Sequence, residues 1–428
     1  MRRVLMVAFH FPPMALSSGI QRTLRFVQHL PRFGWEPIVL SAHPRAYEKT
    51  DDHLLQDIPQ GVLVHRAYAV DSARHLAFFG RYPRFLARPD RWLLWQWAAV
   101  HDGLRLIERL RPAALWSTFP IASAHAIGAR LSRRTGLPWI ADFRDPMAQE
   151  GYPADPQTWR SYQRIEEYAL RHAARSVFVT RGAARVYSER YPDVPETRLA
   201  VIENGYDEES FVQAERALAA TGSARSPLNP GKLTLLHSGI VYPSERDPEP
   251  LFQALGQMAR SGAIDPGRLC IRFRAPVHVD LLRDLAGRYG IAELIDIASP
   301  VPYRDALAEM LRADGLLVMQ GSNCDEQIPA KLYEYLRARR PILGLTTPAG
   351  DTGLALRDAG VTSIAQLESA GAIVPTLSAF LSALEDGAAP LPAPGYVKDC
   401  SRLRRSEELA LLLEGLGARS ARLEHSAA

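Results

Sequence analysis

Cysteine is scarce in this chain: three in 428 residues, at positions 270, 324 and 400. So few, so widely spaced, they form no metal-ligand pattern and no disulfide framework, which fits a reducing compartment. Also missing is any apolar run near the roughly 20 residues needed to span a bilayer. Neither charge sign dominates, with 51 Lys and Arg against 47 Asp and Glu. A net charge of +4 leaves room for anionic partners. Because the basic residues are not interleaved with aromatics as on a nucleic-acid-binding sheet, no nucleic acid partner is expected. Tandem repeats of about 20–50 residues are absent as well, which excludes a solenoid. Met1-Arg2-Arg3 looks like the start of a signal peptide. The apolar run Val4 to Ala8 is stopped at once by His10, Pro12 and Pro13, with no small-residue cleavage site behind it. It reads as a first strand, and the chain is expected to stay in the cytoplasm.

What is present is an alternation of short apolar runs with amphipathic helical patterns, the mark of parallel sheets wrapped by helices. In the first half, strands are expected at Val4–Ala8, Ile38–Ser41, Val62–His65, Ala114–Ser117, Trp139–Phe143, Ser176–Thr180 and Leu199–Glu203. Ile20, Leu24, Val27 and Leu30 lie on one helical stripe between the first two, opened by Ser17-Ser18-Gly19 and closed by Gly34. A second series follows at Leu233–Ser238, Cys270–Arg274, Leu294–Ala298, Gly315–Gln320 and Ile342–Leu345. This length exceeds what one hydrophobic core usually serves. The expected division is an N-terminal Rossmann-like acceptor domain at 1–212, a linker at 213–231 rich in Ala, Ser, Gly and Pro, and a donor domain at 232–395. A C-terminal helix lies in 396–428, and whether it returns to the first domain is left open. Two such α/β domains are expected to face each other across a cleft lined by the carboxyl ends of their strands, where open sheets bind ligands.

The most informative segment runs from Asp325 to Leu336, DEQIPAKLYEYL. Glu326 falls in the loop after an apolar strand, Pro329 is suited to the first position of a helix, and Glu334 falls in that helix's second turn. The helix N-terminus offers free N–H groups and partial positive charge, a ready site for a diphosphate. A carboxylate on the loop can accept from sugar hydroxyls, and one on the helix from ribose hydroxyls. Lys331 adds a cation beside them.

Here the chain resembles family 4 of the retaining glycosyltransferases, whose shared mark is two glutamates separated by seven residues, QIPAKLY in this sequence. The resemblance runs from the His10-Phe11-Pro12-Pro13 loop through the PAKLYEYL helix and implies the GT-B fold. It implies that Glu326 contacts the donor sugar and Glu334 the ribose, and that a glycine loop at Gly19 lies near the donor phosphates. Glycine permits that approach because no Cβ intervenes. Arg22, one turn on, is within reach of a phosphate. After Gly239 the family carries a cation pair against the leaving diphosphate. Ile240 takes the first of those positions and Arg246 supplies the second, its planar fork suited to two phosphate oxygens, unless Glu245 or Asp247 claims it.

On the acceptor side the family's histidines are missing, with Thr118 and Arg144 standing at those points and His125 the nearest substitute. Asp142-Phe143-Arg144-Asp145 puts two carboxylates and an arginine directly after an apolar strand, which is costly unless they are paired or bind something. A cleft role and an internal Asp142–Arg144 pair are both open. Glu203-Asn204-Gly205-Tyr206-Asp207 reads as a turn. Asp-x-Asp, the metal–nucleotide signature of the other large glycosyltransferase fold, does not occur. The expectation is therefore glycosyl transfer with retention from a nucleotide-diphosphate sugar, without a metal or other cofactor, to a lipid-linked or saccharide acceptor in cell-surface polysaccharide or glycolipid assembly. A nucleotide-sugar epimerase of the same architecture and a non-catalytic scaffold are the alternatives. Phe78–Trp97 mixes six Phe and Trp residues with arginines, and between Arg74 and Arg91 the arginines 74, 81, 84, 88 and 91 stand against Asp90 alone. That composition suits contact with the anionic inner face of the cell membrane, and equally a helical excursion with its tryptophans packed inward.

Overall fold

The computed structural model describes residues 1–15, 19–77, 82–223 and 226–426, without the side chains of Arg84 and residues 417–426. Among them are thirteen strands in two parallel sheets. The first unit spans Met1–Glu203 with Arg402–Ala428, the second Asn204–Ser401.

In the first unit lie β1 Arg2–Val7, β2 Trp35–Ala42, β3 Leu63–Ala67, β4 Ala114–Thr118, β5 Trp139–Asp142, β6 Arg175–Phe178 and β7 Leu199–Val201, ordered β3-β2-β1-β4-β5-β6-β7. The chain starts in the middle of the sheet, builds outward to β3, and crosses back to β4. The order therefore reverses between β1 and β4, and the loops after those two strands diverge to leave a crevice at their carboxyl ends. Val4 and Met6 face the layer holding helix Gly19–His29, while Leu5 and Val7 face the layer holding helix Leu93–Leu110, the period-two alternation of a sheet covered on both faces.

The second unit repeats the scheme with β8 Leu233–Ser238, β9 Leu269–Arg274, β10 Ile295–Ala298, β11 Gly315–Met319, β12 Ile342–Leu345 and β13 Ile364–Ala365, ordered β10-β9-β8-β11-β12-β13. Here the switch falls between β8 and β11. The expected strands are present within a few residues. β13 was not foreseen, because two residues carry no readable period.

Two segments depart from expectation. The stretch read as linker from 213 is in its first part helix Glu208–Ala220, capped by Asp207 and burying Phe211, Ala214 and Leu218. Four of its thirteen residues are alanine, so composition resembles a linker while spacing is helical. That helix belongs to the second unit, and the unit boundary lies at Glu203/Asn204. Helix Arg402–Ser426 belongs to the first unit. Its Leu409, Leu413 and Leu416 share a core with Ile20, Leu24 and Val27, and Arg405 donates to Glu203 at 2.7 Å.

Candidate functional site

In the second unit the candidate residues gather at the carboxyl ends of β8 and β11. β8 ends in His237-Ser238, and Gly239 follows with φ +112°, where a side chain would be strained. A Cβ on Gly239 would stand 3.2 Å from Lys331 Nζ, so the missing side chain is what leaves room for the lysine. Lys331 opens the eight-residue helix Lys331–Ala338, so Glu334 lies in the first turn rather than the second. Pro329 stays outside the helix, although its carbonyl accepts from Leu332 N at 2.9 Å. Glu334 accepts from the Tyr303 hydroxyl at 2.7 Å.

The loop after β8 is tied to the loop after β11: Gly321 N donates to the Glu245 carbonyl at 2.6 Å and the Asn323 amide to the Ser244 carbonyl at 2.7 Å. This brings Arg246 beside the turn that carries half-buried Glu326. The Cys324 thiol there is pushed up to about 11, by burial first and then by Glu245. Arg246 is not a free cation. It donates to Glu245 at 3.0 Å and its guanidinium lies over the Tyr242 ring, 5.4 Å from the centroid, while its buried Nε–H finds no partner. That is the intraloop pair the sequence allowed, with one donor left over.

Lys331 is the more unusual group. Its Nζ lies 3.0 Å from His237 Nε2, and His237 Nδ1 lies 3.0 Å from the Leu317 carbonyl. A carbonyl only accepts, so Nδ1 carries the hydrogen, the neutral ring keeps its lone pair on Nε2, and Lys331 donates into it. Burial, reinforced by Arg246, pushes Lys331 down to about 7, with Glu334 opposing. Burial and then Lys331 hold His237 well below the usual histidine value. His237 was missed as a site residue. The one available signal was a titratable side chain at the end of an otherwise apolar strand.

In the first unit the structure reassigns several residues. Arg22, expected near a phosphate, is buried and committed to Asp142 through two hydrogen bonds of 2.9 and 2.8 Å and to the carbonyls of Ile202 and Glu203. Thr118 donates to the same carboxylate at 3.1 Å. Asp142 is thus buried and held in an internal pair rather than open to a ligand. The cleft role expected for this segment, and the alternative Asp142–Arg144 pair, both give way to Asp142–Arg22, because helix Gly19–His29 brings Arg22 to the end of β5.

His125, expected on the acceptor side, is also a core residue. It is wholly buried, shares a 2.8 Å hydrogen bond with Ser117 Oγ, and packs against Trp139 and Phe143. Burial holds its ring down to about 4.

Arg144 stands just past the carboxyl end of β5 with φ 55°, an uncommon left-handed conformation for a residue with a side chain. It reaches the Gly19 carbonyl at 3.2 Å, and its Nε has no partner. His10 stands near it, held down to about 4 by burial first and then by Arg144. Gly19 begins its helix as expected, whereas Ser17 and Ser18 lie outside the described residues.

In the aromatic and basic segment, Phe78–Arg81 lie outside the described residues. Of the rest, Trp95 is buried, while Phe85 and Trp97 are exposed. Arg74 donates to the Tyr47 carbonyl, Arg88 pairs with Asp155, and Arg91 pairs with Glu48 and Asp71. Among the described arginines of the segment, Arg88 and Arg91 are therefore paired with carboxylates.

Two parallel sheets with a switch point in each invite comparison with known folds. Over 99% of this chain and 98% of the other, α,α-trehalose 6-phosphate synthase from Burkholderia multivorans superposes with a TM-score of 0.65 at 13% identity. The fold is GT-B. Two further GT-B structures agree. Anabaena HepE in complex with UDP gives a TM-score of 0.61 at 12% identity, covering 100% of both chains. A glycosyltransferase from Rickettsia africae gives 0.60 at 12%, covering 96% of this chain and 98% of the other. Residues 18–205 match the family described as a glycosyl transferase 4-like domain. No curated protein matches this GT-B chain in sequence. The neighbours show the fold, and the likeness to a glycosyl transferase 4-like domain is carried by residues 18–205. Among the described residues no helix is long and apolar enough to cross a membrane, and no three His, Cys, Asp or Glu side chains converge as metal ligands would.

Proposed function

We propose that this chain is a retaining glycosyltransferase that moves a sugar from a nucleotide-diphosphate donor to an acceptor hydroxyl, in the assembly of a cell-surface polysaccharide or glycolipid. The observation that carries the reading is the cluster in the second unit. Glu326 and Glu334 flank a helix N-terminus, and Lys331 stands over Gly239 with Arg246 close by. Each part has a task in donor binding. Glu334 accepts from ribose hydroxyls, as it already does from Tyr303. Glu326 accepts from the sugar. The first-turn N–H groups, Lys331 and the unpartnered Nε–H of Arg246 meet the diphosphate. Anabaena HepE was solved with UDP and with UDP-glucose, which fits a donor of this class.

As the glycosidic bond to phosphate lengthens, charge builds on the departing diphosphate. Donors already aimed at it lower the barrier without reorganising. With cations and a helix N-terminus in that position, we read the mechanism as metal-free. The acceptor side belongs to the first unit, where Arg144 is the remaining candidate contact, since Arg22, Asp142 and His125 are occupied internally.

A panel of nucleotide sugars with and without saccharide acceptors tests this, in excess EDTA. Donor-dependent product supports transfer, an isomerised donor without acceptor supports an epimerase, and no binding supports a scaffold. Glu334→Ala is expected to weaken nucleotide binding by about 1.5–3 kcal/mol, the range for hydrogen bonds to charged groups. Glu326→Ala is expected to reduce turnover more than binding. Wild-type behaviour in both variants refutes the site, and activity lost to EDTA and restored by magnesium refutes the metal-free mechanism.

A further inference from the structure

A lysine held against a histidine at the end of a buried strand is an arrangement that donor binding alone does not require. Lys331 is only partly exposed. The charged and titratable groups that bear on it are His237 on β8, Arg246 on the following loop with its partner Glu245, and Glu334 on its own helix. Tyr335, next to Glu334, is occupied in accepting the Ser238 N–H at 2.7 Å. One positive neighbour, Arg246, and a neutral ring are thus set against one carboxylate, Glu334, that is itself shared with Tyr303. The neutral ring of His237, locked by the Leu317 carbonyl, points a lone pair at Nζ and holds it over the gap left by Gly239.

We propose that Lys331 takes up a proton when a diphosphate binds over Gly239, and that His237 is the positioning residue that keeps its amine there in both protonation states. This rests on the donor reading above. In the free protein the amine sits near its titration point at neutral pH, held down to about 7 by burial and by Arg246. A bound diphosphate brings negative charge against it and favours the ammonium. The proton comes from bulk water, and the ammonium then stands ready for the charge that develops on the leaving group. The His237 lone pair accepts from either form, so the position of Nζ does not change with its charge. The linkage has a definite sign. Between the free and bound titration points the complex holds more protons than the free protein, so affinity falls as pH rises above about 7, by up to about tenfold per pH unit for one proton.

Calorimetry with UDP, and with GDP and inorganic pyrophosphate as further probes, in Tris and in HEPES at pH 8 measures the protons taken up per ligand bound. Wild type is expected to take up a large fraction of one proton, and Lys331→Met none. His237→Phe is expected to weaken binding on the order of tenfold and to shift the pH profile. His237→Gln, whose carbonyl oxygen can replace Nε2 as acceptor, is expected to restore both. Thermal melts of each variant identify any that misfolds, and the Lys331→Met comparison decides without His237→Phe. Binding without proton uptake in wild type overturns the proposal, as does uptake that persists in Lys331→Met. Unchanged binding and pH profile in folded His237→Phe remove the positioning role. If no probe binds wild type at all, the donor reading itself fails.

Discussion

Asp142 and Arg22 are 120 positions apart in sequence and meet as a buried pair joined by two hydrogen bonds. Both charges are out of water, and the carboxylate accepts from Arg22 and Thr118. Removing one member leaves the other buried without a partner, which is far costlier than the pair is worth. Asp142→Ala is therefore expected to destabilise the protein by about 3–5 kcal/mol, read as a lower urea midpoint for the first unit. A loss below about 1 kcal/mol would show that water reaches Arg22. At this scale sequence was an incomplete guide. DFRD showed that the carboxylates needed partners but could not name Arg22, because a pairing across this separation is set by how a helix packs on a sheet. Glu326 and Glu334 were legible because one short segment carries both.

Helix Ala122–Thr135 shows the same limit at the level of an element. Its middle residue Gly128 has no local justification, since alanine is the better helix former by about 1 kcal/mol. The reason is across the interface. A Cβ there would stand 2.7 Å from Trp139 Nε1 and 3.0 Å from Ser117 Oγ, and the indole donates to that hydroxyl at 2.8 Å. Ser117 in turn bonds His125. Gly128→Ala thus forces a buried aromatic and two hydrogen bonds to shift, and overpacking of about 1–3 kcal/mol outweighs the helix gain. The expected outcome is a lower melting temperature with near-ultraviolet dichroism altered at the tryptophan bands. A variant as stable as wild type with an unchanged spectrum would mean the helix can move outward. Helix Lys331–Ala338 repeats the lesson on a smaller scale: Pro329 marked its approach, yet the helix begins two residues later, and only that start puts Glu334 in the first turn.

For the molecule as a whole, the buried histidines make acid a selective stress. Unfolded histidine gains its proton near pH 6.5, while the His125 ring does so only at about 4. Between these values the unfolded chain binds more protons, so stability falls as pH falls. The His125 contribution to that loss is at most about 3 kcal/mol by linkage. Melting temperatures from pH 7.5 to 4.5 should decline more steeply for wild type than for His125→Gln, which has no ring to protonate. Parallel curves would show that other groups carry the acid response.

The GT-B architecture was implied only by the family resemblance; sequence by itself determined the alternation of strands and helices, the presence of two α/β domains and the glutamate pair. Each of these rests on local period or short spacing, which the chain carries wherever it folds. Tertiary structure decided that a helix stands where a linker was expected, and that helix Arg402–Ser426 belongs to the first unit. It also decided that Arg22, Asp142 and His125 serve the core, and that His237 stands behind Lys331. Burial, hydrogen-bond satisfaction and the position of a proton depend on which distant groups converge, and that convergence exists only once the sheets and helices have packed.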